Sequence, residues 1–393
     1  MSCVYLQPKY MEKFKCDGRN CPANCCRRNW RIEIDAETFH KYLQSESAEH
    51  ELTRHIFSDG DKFFISQENG ACPFLNADGL CTIQLERGEE NISQICRDYP
   101  RQLYKIGALI ERSLSLSCPL AAQLILSEEQ IEFETREIEL PDWANRQLIV
   151  CEPPIPPQIL PYAPEIQLTA ISLLRERRLT LDQRLIILGF YLRQVEEIFN
   201  RGDFETISTL DKVYTSEEFF LAQVPVLIDS VKFQRKEFVK LMTTAAKTIR
   251  GGAAQKFIAQ IDFDFGGKVR KKFFRKYAQA MENFLVNEFF GGVYPFRIDG
   301  TIQHNYAVFA VTFKLVETTA LSLFVKNSSA KILNAIGELA VDLNHNEEFI
   351  RAVTDFLRDD ADITILMKKF FLKGVDKIVK GWYPMQADSL RTP

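Results

Sequence analysis

Ten cysteines stand in this 393-residue chain, and nine of them lie at or before residue 118. Four fall together as Cys16-x4-Cys21-x3-Cys25-Cys26, and four more follow as Cys72, Cys81, Cys96 and Cys118. Gly18, Pro22 and Asn24 separate the thiols of the first cluster. Such residues favour turns that fold the backbone around an ion and direct several sulfurs inward. A secreted disulfide scaffold is normally short and follows an export signal. The opening MSCVYLQPKYMEKFKC has no continuous apolar stretch after its first charges, so the expectation is a cytosolic, reducing setting. There, clustered thiols hold a metal or do redox chemistry. A lone buried cysteine packs as a small hydrophobe. Adjacent Cys25-Cys26 beside two further cysteines is hard to justify as packing.

Thiolate-only donor sets suit zinc or an iron–sulfur cluster. No pair here has the CxxC spacing of a zinc ribbon, whereas a 4Fe–4S cluster takes four cysteines and tolerates scattered ones. Spacing therefore places iron–sulfur ahead of zinc. Eight candidates make either one cluster with a supporting shell or two sites. The radical-type CxxxCxxC spacing is not met: Cys21-x3-Cys25 begins it, but Arg28 stands where the third cysteine belongs.

The elements that must position these thiols are legible in part. Residues 29–35 alternate apolar and polar, the mark of a half-buried strand, and Asp35 is placed to cap a helix over 36–43. Residues 61–67 form another strand candidate, and 103–116 a hairpin turning near Gly107. Residues 151–165 hold six prolines, which read as a stiff connector, neither helix nor central strand. Charge shifts across it, from net −7 before residue 151 to +3 after. Past it, Thr180-Leu-Asp-Gln183 and Thr215-Ser-Glu-Glu218 fit capping boxes. Helices are also expected over 277–290, ended by Gly291-Gly292, over 347–357 with Asn344 as cap, and over 361–373. The fold class is thus mainly α: a cysteine-rich region with short strands over 1–150, a linker over 151–165, and a helical bundle over 166–393.

Composition narrows the function. A hydrophobic fraction of 46% excludes a disordered chain, and net charge −4 gives no global basic field, so nucleic acid is not the expected partner. No continuous apolar run approaches the roughly 18–20 residues of a membrane span, so no membrane is expected either. Lys268-Val-Arg-Lys-Lys-Phe-Phe-Arg-Lys276 carries six basic residues in nine. On a helix it reads as a solvated basic face over a phenylalanine core, with docking of an acidic protein or nucleic acid as the sharper reading. The five histidines show no HxxxH or HExxH spacing.

At this point a resemblance emerges. Leu6-x-Pro8-x-Tyr10, the cluster Cys16 to Cys26, Trp30-x-Ile32-x-Ile34-Asp35 and Cys72-Pro-Phe-Leu75 resemble the flagellin lysine-N-methylase family. So do Gly79-Leu-Cys81-x-Ile83, Cys96-x-x-Tyr99-Pro-Arg101 and Leu116-Ser-Cys118-Pro119. The cysteine core is also similar to the wider group of short zinc- or iron-chelating CxxxCxxCC proteins. The resemblance is dense over residues 5–122 and continues weakly in Glu282-Asn-Phe-Leu-Val-Asn287. It implies methylation of protein lysines, flagellin among them, with S-adenosylmethionine as donor and a 4Fe–4S cluster in the cysteine-rich region. Carried over, the ligand candidates are Cys16, Cys21, Cys25, Cys26, Cys72, Cys81, Cys96 and Cys118.

Methyl transfer needs a neutral amine, yet lysine has a pKa near 10.4, so the enzyme must desolvate the ammonium or supply a base. Tyr99, Arg101 and Glu111 sit among the cluster cysteines and are candidates for that work. Tyr99 or Glu111 would accept a proton, and Arg101 would hold a carboxylate such as that of the donor's methionine moiety. No two of the eighteen glycines are separated by a single residue, so the GxGxxG loop of Rossmann-like methyltransferases is absent. The runner-up reading is a non-enzymatic zinc- or iron-binding module that recruits a partner. Electron transfer is weaker, because so large a cysteine-free domain would be superfluous.

Overall fold

The computed structural model describes residues 2–21, 24–27, 30–44, 52–67, 70–139, 152–219, 267–326, 332–344 and 347–357. The chain divides into two compact units: residues 1–125 with 132–151, and residues 126–131 with 152–393.

The first unit holds two sheets. Strands β1 (Ser2–Pro8), β5 (Arg101–Ile106), β6 (Leu109–Leu114) and β7 (Phe133–Glu139) form one, in the order β5-β6-β1-β7. β1 runs parallel to β6 and antiparallel to β7. β5 and β6 are the hairpin expected at 103–116; Gly107, at φ 64°, takes the left-handed conformation that the tight turn demands.

The second sheet is β2-β4-β3, all antiparallel: β2 (Ile32–Ile34), β3 (Ile56–Asp59) and β4 (Lys62–Ile65). β2 and β4 lie where the alternation placed strands. A core of Ile32, Ile34, Tyr42, Ile65, Phe74, Ile83 and Ile92 packs with this sheet, and it includes Cys72 and borders Cys26 and Cys81. Asp35 caps α1 (Ala36–Gln44) as expected: its Oδ1 accepts from Thr38 N at 2.8 Å. Three short helices follow in this half: α2 (Thr82–Arg87), α3 (Gln94–Asp98) and α4 (Pro119–Ser127).

Beyond residue 152 every described element is helical: α5 (Ala163–Leu174), α6 (Leu181–Arg201), α7 (Thr206–Thr215), α8 (Gly267–Gly291), α9 (Ile302–Val325), α10 (Ile332–Asn344) and α11 (Glu347–Leu357). The chain is therefore mainly α, with short strands confined to the cysteine-rich half. α9 packs against α6, α8, α10 and α11. The Thr180 capping box of α6 forms in full, and Gly202 closes that helix in the left-handed conformation.

Three expectations are corrected. The proline-rich stretch does not stay non-helical to residue 165: α5 starts at Ala163 with Pro164 in its first turn, where no backbone donor is missed. Thr215 is no cap; it ends α7 with Oγ1 donating to Asp211 O at 2.9 Å, and Ser216 Oγ accepts from Phe219 N at 3.2 Å instead. And one described helix, α9, is long and apolar enough to cross a bilayer, with 89% of that stretch buried inside the protein. Thr, Ser and Asn residues interrupt its apolar runs, and its two charges, Lys314 and Glu317, bond each other at 2.7 Å. The helix expected over 361–373 lies outside the described residues, as do residues 345–346, across which the proposed Asn344 cap would act.

Candidate metal centre

The loop carrying the first four cysteines is organised by Asn24. Its Nδ2 donates to Gly79 O at 2.8 Å and, at a longer 3.3 Å, to Gly18 O; its Oδ1 accepts from Cys26 N at 2.9 Å. Cys25 and Cys26 lie in a short 3-10 turn, and Cys72 N donates to Cys26 O at 2.7 Å. Cys72 and Cys81 are joined by a tight loop. Leu75 and Cys81 form an isolated bridge, Leu80 N donates to Asn76 Oδ1 at 2.9 Å, and Gly79 sits at φ 77°. Thr82 then fixes its exit, with N and Oγ1 donating to Phe74 O at 2.8 and 3.1 Å.

Cys96 rides on α3. That helix is pinned to β2 by Ser93 Oγ donating to Glu33 O at 2.7 Å, and to Asp35 by Gln94 N donating to Oδ2 at 3.0 Å. One aspartate thus serves its own helix start and another at Gln94, 59 residues on, and the donated hydrogen bonds outweigh its burial and lower its pKa. Cys118 opens α4, where Ala122 N donates to its carbonyl at 2.8 Å.

These anchors gather the sulfurs. Cys25 acts electrostatically on Cys16, Cys26, Cys72, Cys81 and Cys96, while Cys16, Cys21 and Cys118 form a neighbouring group. Burial pushes the Cys72 and Cys118 thiols each up to about 11. Backbone N–H groups pull the other way, at Phe74 for Cys72, at Gln84 and Ile83 for Cys81, and at Ala121 and Leu120 for Cys118. Cys26 is raised far above the usual thiol range by its hydrogen bond with Cys25 and then by burial. Cys96 is exposed by surface area, yet desolvation by the protein packed around its sulfur, followed by Cys72, Cys25 and Cys81, raises it as well.

All eight thiols are free, and none is paired in a disulfide. Among the described residues, no three His, Cys, Asp or Glu side chains stand at the spacing of ligands around one ion. The arrangement is a neighbourhood of sulfurs, not a closed coordination shell. Its donor chemistry fits a soft metal: the sulfurs repel one another's ionisation until a cation relieves them, and N–H groups turned toward sulfur are the usual second shell of thiolate centres.

Of the three residues expected to carry chemistry, Arg101 acts on a thiol, and Tyr99 meets a hydroxyl one position before Cys118 in the chain. Tyr99 stacks edge-on against Trp30 at 4.9 Å, and its Oη is 3.2 Å from Ser117 Oγ, which is 2.7 Å from Ser115 Oγ. Burial, then Cys25 and Cys21, raises the Cys16 thiol, and the Arg101 charge opposes that rise; Arg101 also lies over the Phe14 ring at 5.4 Å. Glu111 is elsewhere. It is buried in β6 opposite Tyr104, whereas Arg101 pairs with Leu114, so the period-2 alternation puts Arg101 and Glu111 on opposite faces of the sheet.

Sequence reasoning took Asn24 only as a turn former, because nothing local signals its bond to Gly79, 55 residues away. The Tyr99–Ser117–Ser115 hydroxyl chain was likewise unforeseen, although Ser115 and Ser117 flank the Cys118 motif.

The comparisons follow this division. Residues 167–368 match the FliB lysine N-methylase C-terminal domain, and residues 15–119 match a CxxCxxCC domain whose description proposes zinc or iron chelation. Among curated proteins, the chain is 29% identical over 134 residues to the flagellar biosynthetic protein FliU of Salmonella muenchen, covering 31% of this chain and 76% of that protein. It is 30% and 31% identical to lysine-N-methylases of Salmonella typhimurium and Salmonella choleraesuis. The match covers 31% of this chain and only 32% of each of those two proteins. No solved structure matches.

Proposed function

The chain belongs to the FliB lysine N-methylase family, and from that membership we propose that it methylates lysine side chains of a protein, with S-adenosylmethionine as donor. The observation that carries the reading is the domain match over residues 167–368, joined to a first unit that matches a CxxCxxCC domain and whose thiols act electrostatically on one another. A flagellin-type protein in the cytoplasm is the proposed substrate.

Cys25, Cys26, Cys72, Cys81 and Cys96 would hold a soft metal, iron–sulfur before zinc, with Cys16, Cys21 and Cys118 beside them. Such a centre supplies a positive, redox-capable or Lewis-acidic anchor when bound.

The protein's own groups handle substrate and proton. Tyr99, as its phenolate, accepts the proton from the incoming ammonium and becomes the neutral phenol, and the Ser117 hydroxyl, itself bonded to Ser115, is placed to donate to the phenolate oxygen. Arg101 holds a carboxylate beside Cys16. Glu111 takes no part in this arrangement, since it faces away from Arg101. The donor binds without a GxG loop, by a route particular to this fold.

The test is direct. The full-length chain, prepared anaerobically, is incubated with methyl-labelled S-adenosylmethionine and flagellin, and lysine labelling and metal content are read together. Label in lysine supports the reading, and no transfer to any protein refutes it. Cys72→Ser and Cys81→Ser should lose metal and transfer together. Undiminished transfer by metal-free Cys72→Ser protein would leave the metal without a role.

A further inference from the structure

The basic run on α8 is not used by the reading above. Lys268, Lys271, Lys272, Arg275 and Lys276 are all exposed, and their spacing sets them along one side of the helix. The sixth cation of the run, Arg270, is committed elsewhere: it bonds Glu317 at 2.6 Å and Asp182 at 3.0 Å. The other five form no ion pair among the described residues, and Lys276 makes only a ring contact with Tyr277, 5.2 Å away. No Asp or Glu occurs between residues 267 and 281.

Such a stripe disfavours the helix that carries it. The pairs 268/272, 271/275 and 272/276 place like charges at i,i+4, with no ion pair to offset them among the described residues. Packing among the described residues gives no reason to keep these five cations in one row on a chain of net charge −4.

We propose that this face of α8 docks an acidic segment of the protein substrate, so that the enzyme prefers lysines flanked by Asp and Glu. The proposal rests on the methylase reading for the word substrate, but not for the binding. Three observations choose an acidic polypeptide over other polyanions. The aromatics within the run are turned inward or half-covered: Phe273 and Tyr277 are buried and Phe274 is intermediate, so no exposed ring waits for a base to stack on. That same apolar side is packed in the core, so the helix has no face to lay into a bilayer. And four of the five cations are lysine, a point charge, not the forked arginine that phosphate selects.

The experiment uses the full chain without methyl donor. Fluorescein-labelled polyglutamate is titrated by anisotropy at low and high salt, in parallel with a DNA duplex and phosphatidylserine vesicles. Polyglutamate should bind in a salt-sensitive manner. The triple variant Lys271→Glu, Lys272→Glu, Arg275→Glu should weaken binding about tenfold or more. Lys271→Arg with Lys272→Arg should retain it, because charge and not shape is read. Circular dichroism checks that the reversed helix is folded. Unchanged binding in a folded triple variant overturns the proposal, as does tighter binding to DNA or vesicles, or salt-sensitive self-association in place of peptide binding. Should methyl transfer fail while polyglutamate binding follows the charges, the methylase reading falls and the docking face stands. Should transfer proceed equally on acidic and neutral flanks in parent and variant, the reverse holds.

Discussion

Replacing Asn24 by alanine isolates the link between loop geometry and metal affinity. The change removes the acceptor of Cys26 N at 2.9 Å, the donor to Gly79 O at 2.8 Å and a weaker 3.3 Å bond to Gly18 O. Two sound hydrogen bonds at about 1 kcal/mol each, plus a partial third and two half-buried groups left unmatched, amount to about 2–3 kcal/mol of loop closure. That is roughly a thirtyfold to 150-fold shift toward an open loop. If the proposed ligand set is right, only the closed loop presents Cys25 and Cys26 to Cys72 and Cys81, so apparent metal affinity should fall with the closed fraction, by about tenfold to a hundredfold. Chelator competition on the full chain measures this. Asn24→Asp keeps the acceptor for Cys26 N but loses the donor to Gly79 O, and should fall between parent and alanine variant. Thr180→Ala, which removes the α6 cap in the other unit at a cost of about 1 kcal/mol, should leave metal affinity unchanged. An Asn24→Ala protein that keeps its metal within twofold of the parent would refute the idea that this side chain places the sulfurs.

The second unit offers sharper stability tests. Burial pushes the carboxyl of Asp211, which accepts from Tyr191 Oη, up to about 6 from an ordinary 3.8. The folded state therefore holds its proton more tightly, and stability is lost as pH rises from about 4 through 6. By linkage, Asp211→Asn should be near neutral at pH 4 and up to about 3 kcal/mol stabilising above pH 7, seen as a melting-temperature difference that grows with pH. A constant difference would contradict the assignment. Arg184 ties Leu174 O at 2.9 Å, Leu179 O at 3.0 Å and Glu282 at 2.7 Å, all buried, so Arg184→Ala should cost about 3–5 kcal/mol in denaturant melts, and Arg184→Lys should recover only part. At Gly292 an added Cβ would lie 2.6 Å from Glu288 O and 2.8 Å from the Tyr294 ring, so Gly292→Ala should lower the melting temperature by several degrees.

What sequence reading captures is local. Alternation at Ile32 and Ile34, the hairpin at Gly107, the Asp35 cap and the Thr180 box each depend on residues a few positions apart, and each forms. What it misses spans distance. Nothing near Asn24 names Gly79, nothing near Asp35 announces Gln94, and the parity separating Arg101 from Glu111 needs the hairpin register. The α9 helix escapes sequence reading for another reason: its apolar residues are interleaved with Thr, Ser and Asn, some of which bond within the unit, as Thr318 Oγ1 does by donating to Lys314 O at 2.6 Å.

The placement of β1 between β6 and β7 sets an order of events at birth. The first strand pairs on one edge with residues 110–111 and on the other with residues 133–139, so its sheet cannot assemble until position 139 has left the ribosome. At roughly 5–20 residues per second, the thiols of Cys16, Cys21, Cys25 and Cys26 wait on the order of ten seconds in a nascent chain without that sheet. During that interval they are open to oxidants and to whatever ion arrives first. Any metal held by these thiols in the finished unit would thus be seated no earlier than the synthesis of residue 139, and the cell's redox state during that interval should govern how much of the protein matures.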